Sequence, residues 1–193
     1  MEQLDIVDEK GNPTGETVPR EVAHREGIRH RTAHVWIFRR RGDTVQVLLQ
    51  KRSDNKDSDP GCYDISSAGH IPAGSDYIPS AVRELKEELG VDIHGSELIY
   101  CGQRRVRFEK EFHGSMFRDN QISNVYALWL DREKPDFTLQ EEEVSEVRWM
   151  DFADCVAAVR ENRIPHCIYM EELEILRNAL KLPDRSAGDP FCR

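Results

Sequence analysis

The chain has 193 residues, 38% of them hydrophobic and 33% charged, with a formal net charge of −9. That size and composition suit one globular domain with a strongly solvated surface and exclude a disordered chain. The acidic balance also argues against nucleic acid as a general partner, since the basic run RRRG at 39–42 is too short to hold a phosphate backbone.

From the N-terminus, LDIVDEKGNPTGETV reads as two short strands around a Gly-Asn-Pro turn, and PREVAHREG as a brief helix opened by Pro and closed by Gly. AHVWIFRR and VQVLLQKR are β-rich runs joined by RGDT, which predicts a hairpin. A polar loop, NKDSDPGC, leads to one further strand, YDISSAGHI, and then to a helix over AVRELKEELG. Beyond Gly90, SELIYCGQRRVRF, NVYALWLD and SEVRWMDF give three strands separated by polar loops, and 53–62 and 107–121 are loop candidates for substrate contact. Helices near 151–161 and 168–181 follow; the second carries Ile168, Met170, Leu173, Ile175, Leu176 and Leu180 at mostly helical spacing. A loose tail starts at Pro183. Strands with helices inserted between and after them predict an α+β fold, a mixed α/β sandwich.

Five cysteines without a CxxC pair argue for reduced thiols and against a disulfide framework or zinc knuckle. The acidic N-terminus has no apolar leader, and no apolar run reaches membrane-spanning length, so a soluble cytoplasmic protein is expected.

The helix at 81–90 raises the chemical question. At about 100° per residue Glu84, Glu87 and Glu88 share one face, while Ile78, Ala81, Val82, Leu85 and Leu89 form a second stripe that would dock on the sheet. Like charges at this spacing cost roughly 0.2–0.5 kcal/mol per pair, and Arg83 alone cannot neutralise three carboxylates. A hard divalent cation can, because Mg²⁺ prefers carboxylate oxygens and leaves positions for water and substrate phosphate. A solvated acidic face is the bland alternative.

From Gly69 the chain reads GHIPAGSDYIPSAVRELKEELGV, which closely resembles the Nudix box. Gly69, Arg83, Glu84, Leu85, Glu87, Glu88, Gly90 and Val91 match the family spacing, whereas Ser75 stands where the family usually has a Glu that supports the loop and helix. The resemblance implies an α/β/α sandwich over 1–182, with 1–31 as an N-terminal hairpin and short helix, and 183–193 as a tail. It also implies hydrolysis of a diphosphate compound with Mg²⁺ or Mn²⁺. Glu87 and Glu88 would bind metal, Glu84 would bind metal or help deprotonate water, Arg83 would orient Glu87, and the Gly69 backbone could add a ligand. A later carboxylate often joins the site, and QEEEVSEVRW offers Glu141, favoured here, with Glu142 and Glu143. Ser75 predicts altered loop packing or weaker activity.

The stretch from Leu4 to about Asp154 also resembles the isopentenyl-diphosphate isomerase branch, especially the hydrolases similar to it. Those isomerases use a Cys two residues before a His, and a metal held by three His and two Glu. Here the Cys position is Ala68, His70 matches, His24 and His30 match approximately, and the acidic pair aligns with Ile122 and Asn124. No acid is then available to protonate a double bond, so hydrolase is expected over isomerase. His24, His30, His34 and His70 would be packed relics, a second metal site or phosphate contacts; Lys51 and Arg52 are further phosphate candidates. A non-catalytic ligand-binding Nudix domain is the third reading. The implied partner is a small diphosphate compound, and a homodimer is allowed but not demanded.

Overall fold

The computed structural model describes residues 1–56, 58–112 and 114–182. The tail expected from Pro183 lies outside the described residues. A two-stranded sheet, β1 (Gln3–Val7) and β2 (Pro13–Pro19), leads into α1 (Arg20–Glu26), which closes on Gly27 in the left-handed conformation at φ 69°. The main sheet is seven-stranded and mixed: β3 (His30–Arg41), β4 (Thr44–Arg52), β5 (Tyr63–Asp64), β6 (Ser67–His70), β7 (Ile99–Phe112), β8 (Ser115–Trp129) and β9 (Val144–Asp151). Its main path runs β5-β4-β3-β8-β7, with β6 beside β3 and β9 beside β4. β3 and β8 pair in parallel; the other pairings are antiparallel.

Alternation along the central strands builds two cores. Val35 and Ile37 of β3, Leu48 of β4 and Leu128 of β8 pack with Ala81, Leu85 and Leu89 of α2 (Tyr77–Leu89). Trp36, Phe38, Leu49 and Val125 point to the other face, against α3 (Phe152–Arg160) and α4 (Met170–Leu180) through Phe152, Cys155, Leu173 and Leu176. The layers are helix, sheet, helices, an α+β sandwich. Leu4, Val18 and Ala23 bind the N-terminal hairpin to α1 in a smaller core.

Two sequence expectations change. The single strand over YDISSAGHI is two short strands with different neighbours, β5 beside β4 and β6 beside β3, because the chain crosses from one to the other at Ile65 and Ser66. Residues 107–112 and 115–121 are not loop: they are the outer parts of β7 and β8, paired from Arg107↔Asn120 to Phe112↔Ser115. The outer face of this hairpin is charged and therefore lacks the apolar alternation that marks a half-buried strand.

Candidate functional site

α2 carries the glutamates, and its ends are defined by its own residues. The Asp76 carboxylate accepts from Tyr77 N at 2.7 Å at the start, and Gly90 at φ 64° ends it with its N–H on Leu85 and Lys86 carbonyls. The three acids have different surroundings. Glu87 is exposed, Glu84 is partly covered and Glu88 is buried, so the helix turns one carboxylate into the protein rather than lining up all three at its edge. Burial, against the nearby Ser67 hydroxyl and helped by the Glu84 charge, pushes the Glu88 carboxyl up to about 8, and its Oε2 has no partner of hydrogen-bond geometry among the described residues. Burial also raises Glu84, against the pull of Arg83.

Gly69 lies in β6 opposite Ala33 of β3. A Cβ there would fall 2.3 Å from Glu84 Cδ and 2.7 Å from Oε1, so only glycine allows the carboxylate to lie against this strand. Arg83 Nη2 donates to Glu84 Oε1 at 2.5 Å, while its Nε is 3.6 Å from Glu87 Oε2. The expected Arg83–Glu87 pair is thus the longer of two contacts, and Glu84 has the hydrogen bond.

An open cavity of about 1020 Å³ includes Gly69, His70, Glu84, Glu87 and Glu88 in its lining. Glu142 and Glu143 reach it from the turn before β9, with Glu143 paired to Lys56, whereas Glu141 is exposed and absent from the lining. Arg52 lines the cavity but is committed to Asp64 Oδ2 at 3.0 Å and to the Ser58 carbonyl at 2.8 and 3.0 Å. Lys51 is not in the lining. Of the two phosphate candidates, Arg52 thus reaches the cavity with its guanidinium already engaged, and Lys51 does not reach it.

Sequence reasoning named the histidines but missed Glu172, Arg104, Asp119 and the phenylalanines that line the same cavity. Glu172 of α4 is fully buried, accepts from Trp36 Nε1 at 2.7 Å, and lies 3.0 Å from His34 Nδ1 and 3.2 Å from Arg104 Nη1. Burial opposes its ionisation, but the His34 charge and the His34 and Trp36 hydrogen bonds, with Arg104, outweigh that and hold its carboxyl at about 2. His24, His30 and His70 bring one ring nitrogen each within 4.8 Å of one another. Burial drives His24 down to about 3 and His30 to about 4, and keeps His70 well below the usual imidazole range. His30 Nε2 is 3.9 Å from Asp119 Oδ1, and neither atom has a hydrogen-bond partner among the described residues. The acid beside the histidines is therefore Asp119, not a residue at Ile122 or Asn124. Phe117 stacks on His24 at 4.4 Å and meets Phe108 and Phe112 at 6.2 and 5.9 Å, forming an aromatic wall on the β7–β8 hairpin. Only recognising that hairpin as a strand pair could have revealed Asp119 and this wall.

A family model described as NUDIX domain matches residues 28–168. The chain is 42% identical over 163 residues to Nudix hydrolase 3 of Arabidopsis thaliana, covering 79% of this chain and 20% of that protein. It is 40% identical over 143 residues to an uncharacterized Nudix hydrolase of Clostridium acetobutylicum, covering 74% and 66%. It thus spans a fifth of the first relative's length and just under two thirds of the second's. Among solved structures, a Deinococcus radiodurans protein superposes with a TM-score of 0.66 at 20% identity, covering 90% of this chain and 98% of that one. The NUDIX domain of Shewanella oneidensis NrtR, in complex with ADP ribose, gives 0.56 at 17%, covering 78% and 87%. At those identities the likeness concerns the fold alone. Among the described residues no helix is long and apolar enough to cross a membrane.

Proposed function

The chain belongs to the Nudix family, and from that premise we propose that it is a divalent-cation-dependent pyrophosphohydrolase, acting on a diphosphate that bears an apolar or aromatic group. The observation that carries this reading is the pairing of Gly69 with Glu84, a glycine without which the carboxylate could not lie at the cavity, beside the unpartnered buried oxygen of Glu88. Both features suit a cation: a buried carboxyl pushed up to about 8 is stabilised as its anion by a positive ion, and an all-oxygen donor set favours Mg²⁺ or Mn²⁺.

Glu84, Glu87 and Glu88, with the backbone at Gly69, would hold the ion, and Arg83 would keep Glu84 and Glu87 in orientation. When bound, the ion neutralises phosphate charge and makes water a stronger acid. Water attacks phosphorus and the bridging P–O bond breaks, its electrons leaving on the departing phosphate oxygen. Glu84, or Glu142 or Glu143 from the turn before β9, takes the proton; Glu141 is set aside because it does not line the cavity. Phe108, Phe112 and Phe117 favour a nucleobase or prenyl group over a bare sugar as the diphosphate's substituent. His70 lines the same cavity and remains a candidate for phosphate contact as a neutral donor.

The test is a panel of nucleotide, sugar, coenzyme and prenyl diphosphates with Mg²⁺ or Mn²⁺, reading phosphate or monophosphate release, with isopentenyl diphosphate as the isomerase control. Glu87→Gln should lower turnover at least roughly 100-fold, since the ion's share of the barrier is several kcal/mol. Equal turnover in excess chelator would overturn the hydrolytic reading, and binding without turnover would favour the non-catalytic one.

A second reading concerns His24, His30 and His70. Three imidazole nitrogens within 4.8 Å, beside an unpartnered Asp119 oxygen, fit a borderline ion such as Zn²⁺. Zinc should raise the melting temperature of the Glu87→Gln protein and not of a His70→Ala protein; an equal rise in both would place zinc elsewhere.

A further inference from the structure

The family's supporting Glu is Ser75 here, yet the loop it would support is firmly held. Asp5 of β1 is buried, and its Oδ2 accepts from Gly74 N at 3.0 Å and from Arg31 Nη2 at 2.9 Å. The same Arg31 Nη2 donates to the Ser75 carbonyl at 2.9 Å, and the guanidinium lies 5.3 Å from the Tyr77 ring centre. Backbone contacts reinforce the link: Ala73 N donates to the Gln3 carbonyl at 2.8 Å, and Ile71 N to the Arg31 carbonyl at 3.0 Å. Arg31 Nε is buried and has no hydrogen-bond partner among the described residues, an unmet donor beside the loop that holds Ser75.

We propose that Asp5 and Arg31 are a positioning pair that fixes the loop between Gly69 and α2 in place of the missing box glutamate. The proposal rests on the hydrolase reading for its effect on turnover, although the loop contacts stand without it. The loop is the direct chain link between Gly69 and α2, whose Glu84 lies against Gly69. A carboxylate that binds the loop backbone and neutralises a buried guanidinium does the work of a local Glu from a distant strand. Asp5 also lies outside the matched segment 28–168, so the N-terminal hairpin becomes part of the active-site scaffold.

The test compares wild type, Asp5→Ala, Asp5→Asn and the double variant Asp5→Ala with Ser75→Glu. It reads turnover, substrate KM, manganese affinity by calorimetry, amide exchange across residues 71–77, and melting temperature. The single variants should exchange Gly74 and its neighbours faster and bind manganese more weakly. They should also lose kcat by about 10- to 100-fold with little change in KM, as expected of a displaced catalytic group. Restored manganese affinity, slow exchange and kcat in the double variant would establish the substitution of one carboxylate for the other. The proposal is overturned if the single variants keep wild-type exchange and manganese affinity. It is equally overturned if the double variant recovers melting temperature alone. Should Asp5→Ala not fold, Asp5→Asn, which keeps shape and removes charge, carries the same comparison. An inactive wild type would end the hydrolase reading, while the exchange and manganese data would still decide the role of Asp5.

Discussion

Gly69 and Glu84 occupy space that only one side chain can fill. Gly69→Ala should therefore push the Glu84 carboxylate from the cavity and lower kcat by on the order of 100-fold, while the melting temperature changes little; equal loss of both would mean the strand itself is disrupted. The histidine cluster gives a second outcome. Unfolded imidazoles take up protons near pH 6.5, whereas folded His24 and His30 resist until about 3 and about 4. Between those limits the unfolded chain binds more protons, so this contribution lowers stability as pH falls. Glu88 and Asp119, raised to about 8 and about 6, titrate in the opposite sense, so the clean readout is a difference. In chelator, wild type should lose melting temperature relative to His24→Gln from pH 7.5 to pH 5, and a constant gap would contradict buried neutral imidazoles. At this scale the spacing of Gly69, Glu84, Glu87 and Glu88 pointed to residues that lie at one cavity, because contacts along one helix and one loop follow from residue number; their metal-binding role is what we propose. Spacing does not determine which way three consecutive acids in a turn point, and Glu142 and Glu143 line the cavity while the favoured Glu141 does not. It could not foresee Asp5, whose partner Arg31 is 26 positions away.

At the scale of elements, the helices and central strands were legible from periodicity, since each presents one apolar face to a core. The β7–β8 hairpin was not. Arg105, Arg107, Glu109 and Glu111 give its edge strand a charged face, a composition that protects an exposed edge from pairing with another chain and also conceals the strand. Its inner side carries the aromatic wall. Phe117→Ala should raise KM for nucleotide or prenyl diphosphates several-fold to about tenfold while leaving kcat near wild type, because the proposed function sets the ring against the substituent and not the reacting phosphorus. A fall in kcat at constant KM would instead assign Phe117 to holding His24.

At the scale of the whole molecule, one sheet carries both helix layers, and the N-terminal hairpin is tied to it through Asp5, Arg31 and the Leu4↔Pro72 bridge. Unfolding in urea should therefore be a single transition, the same by tryptophan fluorescence and by far-ultraviolet dichroism. An earlier transition without loss of the tryptophan signal would make the hairpin a separate unit. The same geometry brings Met1 and Glu2 into the lining shared with Glu84 and Glu87. A purification tag fused ahead of Met1 would begin at the mouth of the cavity that we propose takes the substrate. Kinetic constants for this protein should accordingly be taken after the tag is cleaved, since a residual peptide there would compete with substrate for entry.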